Sequence, residues 1–303
     1  MRTAPEARVR PELGLVCITV SDAIRYRTIT RTQLLKIPEA EQANVLRDLY
    51  EANLRRFDTG LAWCALNQIR LYRLTSDLFP FADTPVGREV LAVLASDAAR
   101  VGARARSEKI RVVLHPDQFV VLSSDSEQVR RNSVTILETH ARIFDLLGQP
   151  RSSWAAFNVH GGKGQRAERL VESIGALPEA VRSRLTLEND EYAYGSADIL
   201  DVCHMAGVPM VFDAHHHVCK EKLSSYDHPS VGEVLAQARA TWHPHEDWQL
   251  VHISNGRERF DDRRHSDLIT EMPAAFRRAP WIEVEAKAKE QAIEQLRREW
   301  LNA

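Results

Sequence analysis

Val208-Pro209-Met210-Val211-Phe212-Asp213-Ala214-His215-His216-His217 starts as an apolar run of strand length and ends in one acid and three imidazoles. Such a run reads as a strand buried on both faces, which should be apolar throughout. Its polar end therefore needs a reason. The same design recurs on both sides of it. Upstream, Leu114-His115-Pro116, Val159-His160-Gly161 and Leu187-Glu188-Asn189-Asp190 close comparable runs, and downstream Val251-His252 and Val284-Glu285 do so. With two earlier runs, the predicted strands fall at residues 13–19, 69–75, 111–116, 155–160, 185–190, 208–215, 248–254 and 281–287. Helical periodicity fills the intervals, at 40–57, 87–108, 126–147, 165–173, 197–206, 230–240, 266–277 and 289–301. Eight strand–helix repeats predict an α/β fold closed as a single (β/α)8 TIM barrel rather than an open doubly wound sheet.

The length of 303 residues suits one barrel domain, about 12–302, preceded by an N-terminal extension at 1–11. No linker rich in Gly, Pro or Ser divides it. No apolar run approaches the roughly 20 residues that cross a bilayer, and residues 1–11 lack the apolar core of a signal peptide. A soluble, cytoplasmic protein with no membrane contact is expected. Cys17, Cys64, Cys203 and Cys219 form no C-x-x-C pair, which argues against a thiolate zinc site and a disulfide framework. A net charge of −2 argues against coating of nucleic acid by bulk charge, so any attraction for DNA must be local. The long connection at 20–38, with Arg25, Tyr26, Arg27 and Arg31, is expected to wall a substrate groove.

In a barrel the C-terminal strand ends converge on one face, where catalysis is housed. Several buried imidazoles and carboxylates there are costly unless paired or ligated. Convergence predicts a multi-metal site with nitrogen and oxygen ligands, which suits Mn²⁺, Zn²⁺ or Fe²⁺. Glu188 is suited to bridge two ions, and paired metals support in-line phosphoryl displacement. Sugar isomerases and epimerases use the same ligand types on the same fold, so architecture leaves the reaction open. A non-catalytic metal-storing or DNA-binding protein is a further class.

Six segments carry a resemblance. They are Gly14-Leu15-Val16-Cys17, Tyr72-Arg73-Leu74-Thr75-Ser76-Asp77-Leu78-Phe79-Pro80, His115-Pro116-Asp117-Gln118-Phe119, His160-Gly161-Gly162, Leu187-Glu188-Asn189-Asp190-Glu191 and Glu285-Ala286-Lys287-Ala288-Lys289-Glu290. In this order, spanning nearly the whole chain, they resemble the UV damage endonuclease family, the UvdE or UVSE enzymes of the endonuclease IV-like barrel superfamily. The resemblance implies an endonuclease that hydrolyses DNA immediately 5′ to UV photolesions, pyrimidine dimers and 6-4 photoproducts among them, and so initiates excision repair. An abasic-site endonuclease is the nearest alternative. Damaged DNA is the implied partner of a monomer that needs no other protein.

The resemblance also implies two or three divalent ions, commonly Mn²⁺, with Zn²⁺ and Mg²⁺ as alternatives. His115, His160 and Glu188 would hold one ion; Glu188, Asp213, His252 and Glu285 would surround a second; His216 and His265 would serve a third. Glu188, Glu285 and His252 take the catalytic roles. Gln118 and Phe119 form a pair that probes the helix at the damage, and an apolar wedge unstacks bases most cheaply where a lesion has already distorted them. Further DNA contacts fall on Lys287, Arg257 and Arg264, with Lys289, Arg259 and Arg263 nearby. Two positions depart from relatives, which carry a lysine, sometimes carboxylated, at Leu250 and a tyrosine at Leu15. Glu283 shares a face with Glu285 by period two, as a supporting group for the metals or as half of an interior ion pair.

Overall fold

All eight expected strands form, each shorter than its apolar run. The computed structural model describes residues 10–116 and 119–302, so the 1–11 extension lies outside the described residues except for its last two. In chain order the elements are β1 (Glu12–Val16), α1 (Arg31–Leu34), α2 (Glu39–Leu66), β2 (Leu71–Leu74), α3 (Pro85–Val93), α4 (Ala95–Ser107), β3 (Arg111–Leu114), α5 (Glu127–Leu146) and β4 (Phe157–His160). They continue with α6 (Ala167–Gly175), α7 (Glu179–Arg182), β5 (Leu185–Glu188), α8 (Ser196–Ala206), β6 (Met210–Asp213), α9 (Ala214–Glu221), α10 (Pro229–Ala240), β7 (Leu250–Ile253), β8 (Trp281–Val284) and α11 (Glu290–Leu296). The strands pair in parallel in sequence order and β8 returns to β1, which closes a (β/α)8 TIM barrel. No described helix is long and apolar enough to cross a membrane.

Strand periodicity divides the barrel interior into two zones. Outward residues such as Val112, Phe157, Leu187 and Phe212 pack under the helices in the main core. Leu71, Val113, Ala156, Val211 and Leu250 form a separate apolar cluster with Trp242. Because alternate residues share a face, the next inward positions on those strands are Arg73, His115, Asn158, Asp213 and His252. One strand step thus converts an apolar floor into a polar chamber. At Gly14 a Cβ would meet Leu71 at 2.5 Å, so glycine is what lets β1 close against β2 at this level.

Arg111 seals the floor. Fully buried, it donates to the carbonyls of Trp154 (2.8 Å), Trp248 (2.8 Å) and Ser153 (3.1 Å). Its guanidinium lies 4.8 Å from the ring centre of Trp154 and 5.3 Å from that of Trp281, close enough for cation–π attraction.

Three local expectations are corrected. The helix at 266–277 does not form; only the 3-10 turn Ala274–Arg278 does. Buried Asn255 accounts for this, since its side chain accepts from Thr270 N (2.7 Å) and Glu271 N (2.9 Å) and donates to Glu271 O (3.1 Å), taking groups a helix would use internally. The strand at 208–215 stops at Asp213, whose carboxylate accepts from His216 N (2.7 Å) and caps α9. The helix at 87–108 is two helices, broken at Leu94.

Arg111→Met should lower the unfolding free energy by about 2–4 kcal/mol, because it strands three buried carbonyls. Urea denaturation followed by far-UV circular dichroism reads this directly, and an unchanged midpoint would contradict the sealing role.

Candidate metal centre

The chamber above the floor brings the expected ligands together in three overlapping groups: His115, His160 and Glu188; Glu188, Asp213 and His216; Asp213, His252 and Glu285. Within each group one donor atom per residue lies within 4.8 Å of the others. Strand register explains the overlap, since His160 pairs with Glu188 and Asp213 with His252 across neighbouring strands. Glu188 Oε2 lies 3.3 Å from His115 Nε2, and Glu188 Oε1 lies 3.1 Å from His252 Nδ1. This carboxylate touches both sides of the chamber.

Helix α9 sorts the three consecutive histidines, because successive helical residues point about 100° apart. His216 turns into the chamber, its Nδ1 2.9 Å from the Asn189 carbonyl. His215 turns away to the Tyr226 hydroxyl (2.6 Å) and the Asp262 carbonyl (2.9 Å). His217 sits between the Ser196 and Ser230 hydroxyls at 2.9 and 3.0 Å. One of the three is available as a ligand.

Charge is unbalanced in a way that suits cations. Glu188, Asp213 and Glu283 are almost wholly buried and Glu285 is nearly so, and they face one guanidinium, Arg73. Arg73 bonds Glu283 Oε2 at 2.6 Å and Glu285 Oε1 at 2.5 Å. Burial disfavours the charged form of His252, but Glu188, Glu283 and Glu285 outweigh it and hold the imidazole protonated well above its usual range. His216 follows the same pattern: burial opposes protonation, yet Asp213, Glu188 and Glu191 push its pKa up to about 9. Protonated imidazoles stand here where divalent ions would serve better. Two buried polar atoms, His160 Nδ1 and Asp213 Oδ2, have no hydrogen-bond partner. An all N/O donor set with an unpartnered carboxylate oxygen at Asp213 fits hard or borderline divalent cations.

His265 stands at the edge, its Nδ1 3.7 Å from Glu285 Oε2, outside the three close groups. Phe119 is exposed and lines two adjoining clefts, of about 530 and 1070 Å³, that meet over His115, His160 and His216. Gln118 lies outside the described residues. Arg264 is bound to Asp262 (2.9 Å) and Glu258 (3.0 Å), Arg257 lines a separate cavity of about 190 Å³, and Lys287 is exposed. None of residues 20–38 lines either cleft; Glu290 instead fastens that connection by accepting from Val20 N and Ser21 N at 2.8 Å each.

Arg73 was missed as a site residue, although an arginine inside a buried strand was the available signal. Asn158, which donates to Glu188 Oε2 and holds that carboxylate in place, was missed as well. Glu283 pairs with Arg73 and also contacts His252 Nε2, so it meets both expectations, an interior ion pair and a group supporting a candidate ligand.

The profile of the family described as UV-endonuclease UvdE matches residues 11–302. The chain belongs to this family. It is 54% identical over 294 residues to the UV DNA damage endonuclease of Nostoc sp., covering 96% of this chain and 91% of that relative. Identity is 47% over 290 residues to the UV DNA damage endonuclease of Deinococcus radiodurans, covering 95% of each. Among solved structures, that of SacUVDE superposes with a TM-score of 0.79 over 95% of this chain and 98% of its own, at 24% identity, a likeness of fold. Within this UvdE barrel the buried carboxylates and imidazoles described above could hold a metal ion.

Because ligands bind metal deprotonated and His216 carries its proton up to about pH 9, Mn²⁺ binding should release protons at pH 7 and tighten as pH rises. Calorimetric titrations in buffers of different ionisation enthalpy measure the release. Zero proton release at pH 7 would contradict this charge assignment.

Proposed function

We propose that this UvdE-family protein is a metal-dependent endonuclease that hydrolyses the DNA phosphodiester immediately 5′ to UV photolesions, leaving a 3′-hydroxyl for excision repair. The observation that carries the reading is the set of three ligand groups sharing Glu188 and Asp213 at the barrel mouth, in a chain 54% identical to a UV DNA damage endonuclease. Overlapping groups suit ions held close together, and two or three Mn²⁺ ions are the proposed complement. Held there by His115, His160, Glu188, Asp213, His216, His252 and Glu285, divalent cations would polarise the phosphate and lower the pKa of an attacking water.

The chain's own residues supply the rest. Arg73 and Asn158 fix Glu285 and Glu188 in single orientations, which keeps the donor geometry organised before substrate arrives. Phe119, exposed where the two clefts meet, would enter a weakened base stack. Damage is then sensed through cheap unstacking rather than through base sequence. The sugar-isomerase reading loses support because the matched family spans residues 11–302 and acts, by its description, as a UV-endonuclease.

A duplex with one defined cyclobutane dimer, end-labelled and incubated with Mn²⁺ and then with chelator, tests the proposal. The expected product is a single nick 5′ to the dimer that chelator abolishes. Glu188→Gln is expected to slow nicking by more than about 100-fold, beyond the 10–100-fold typical of losing an outer-sphere partner. Nicking that survives chelation, or full activity in Glu188→Gln, would refute it.

A further inference from the structure

Large apolar side chains left in water at a cleft need an explanation, whereas scattered ones do not. Among the described residues, Phe119 (69% exposed) and Tyr192 (66% exposed) both line the 1070 Å³ cleft beside the candidate metal centre. Tyr192 is held firmly for so exposed a residue. The Asp190 carboxylate accepts from the backbone N–H groups of Tyr192 (2.6 Å) and Ala193 (2.5 Å), and Lys220 Nζ donates to the Tyr192 carbonyl at 2.9 Å. The Arg263 guanidinium stacks 4.0 Å from the ring centre. One face of the tyrosine is therefore backed by a planar cation while much of the ring stays open. Neighbouring Glu191 lies 3.6 Å from His216 Nε2, so the tyrosine follows directly on a segment that touches the ligand cluster.

We propose that Tyr192, backed by Arg263, is a stacking platform for a nucleobase everted from the damaged duplex, on the same cleft that Phe119 enters as a wedge. The proposal rests on the reading of the chain as a damage endonuclease. A wedge separates bases, and a base pushed out of the duplex loses its stacking partners unless the protein supplies a new surface. An aromatic ring with a guanidinium behind it supplies that surface for any base, because every base offers a π face. The acids of this cleft do not oppose it: Asp190 is engaged by backbone amides and Glu191 by His216 and Arg263. Arg263 therefore has a role that Arg264, bound to two acids, does not.

Equilibrium binding of the Mn²⁺-loaded full chain is measured by fluorescence anisotropy on two duplexes that differ only in one cyclobutane dimer, each carrying a non-hydrolysable linkage 5′ to the dimer position to prevent turnover. Tyr192→Ala is expected to weaken binding of the dimer duplex by about tenfold, with the undamaged duplex unaffected and Tyr192→Phe close to the parent. Arg263→Ala is expected to show a smaller loss of the same preference. If the parent prefers the dimer duplex and Tyr192→Ala keeps that preference, or loses both duplexes equally, the platform is overturned while the damage-endonuclease reading stands. If the parent shows no preference for the dimer duplex, the reading beneath the platform fails and the platform falls with it.

Discussion

Among the described residues, Glu188, Asp213 and Glu283 are buried together at one end of a closed barrel beside the slightly more exposed Glu285, with Arg73 as the one guanidinium among these four carboxylates. Buried anions at this density are tolerated only with compensating charge and complete hydrogen bonding. The surroundings answer that demand. Arg73 binds two of the acids, Asn158 donates to a third, and the fourth caps α9 while keeping one oxygen free. His216 and His252 carry protons above their usual range for the same reason, and divalent cations would meet the demand with fewer compromises.

The opposite end of the barrel is built on the contrary principle. There the buried cation Arg111 is satisfied by carbonyls and indole faces, and no carboxylate among the described residues hydrogen-bonds it. The apolar layer between the ends keeps Arg111 out of hydrogen-bond contact with the acids, although the charge of Glu283 still reaches it. Leu250 belongs to this layer, packed with Trp242 and Val211, one inward step below His252. The chamber here is accordingly assembled without a strand-seven lysine.

Much of this architecture is legible in the sequence because a barrel writes itself as repetition. Eight apolar runs give the strand count, and the polar ends of six of them name His115, His160, Glu188, Asp213, His252 and Glu285. The residues missed are those whose role depends on partners far away in sequence. Arg73 acquires meaning only beside Glu283 and Glu285, more than 200 positions later. The His215–His217 run has too little pattern to say which imidazole turns inward until Asp213 is seen to start a helix. Residues 266–277 have helical periodicity, but buried Asn255 captures their backbone, and a tertiary hydrogen bond of that kind leaves no periodic trace. Tyr192 reads as ordinary in sequence and becomes notable only when found exposed and stacked on Arg263.

The position of cations in the chamber decides whether it is a metal centre. Crystals grown with Mn²⁺ and measured at a wavelength where manganese scatters anomalously would locate them directly. Peaks are expected within the three ligand groups, with Glu188 contacting two of them and Arg73 still holding Glu283. A chamber with no anomalous peak, or peaks only outside these groups, would contradict a metal centre here.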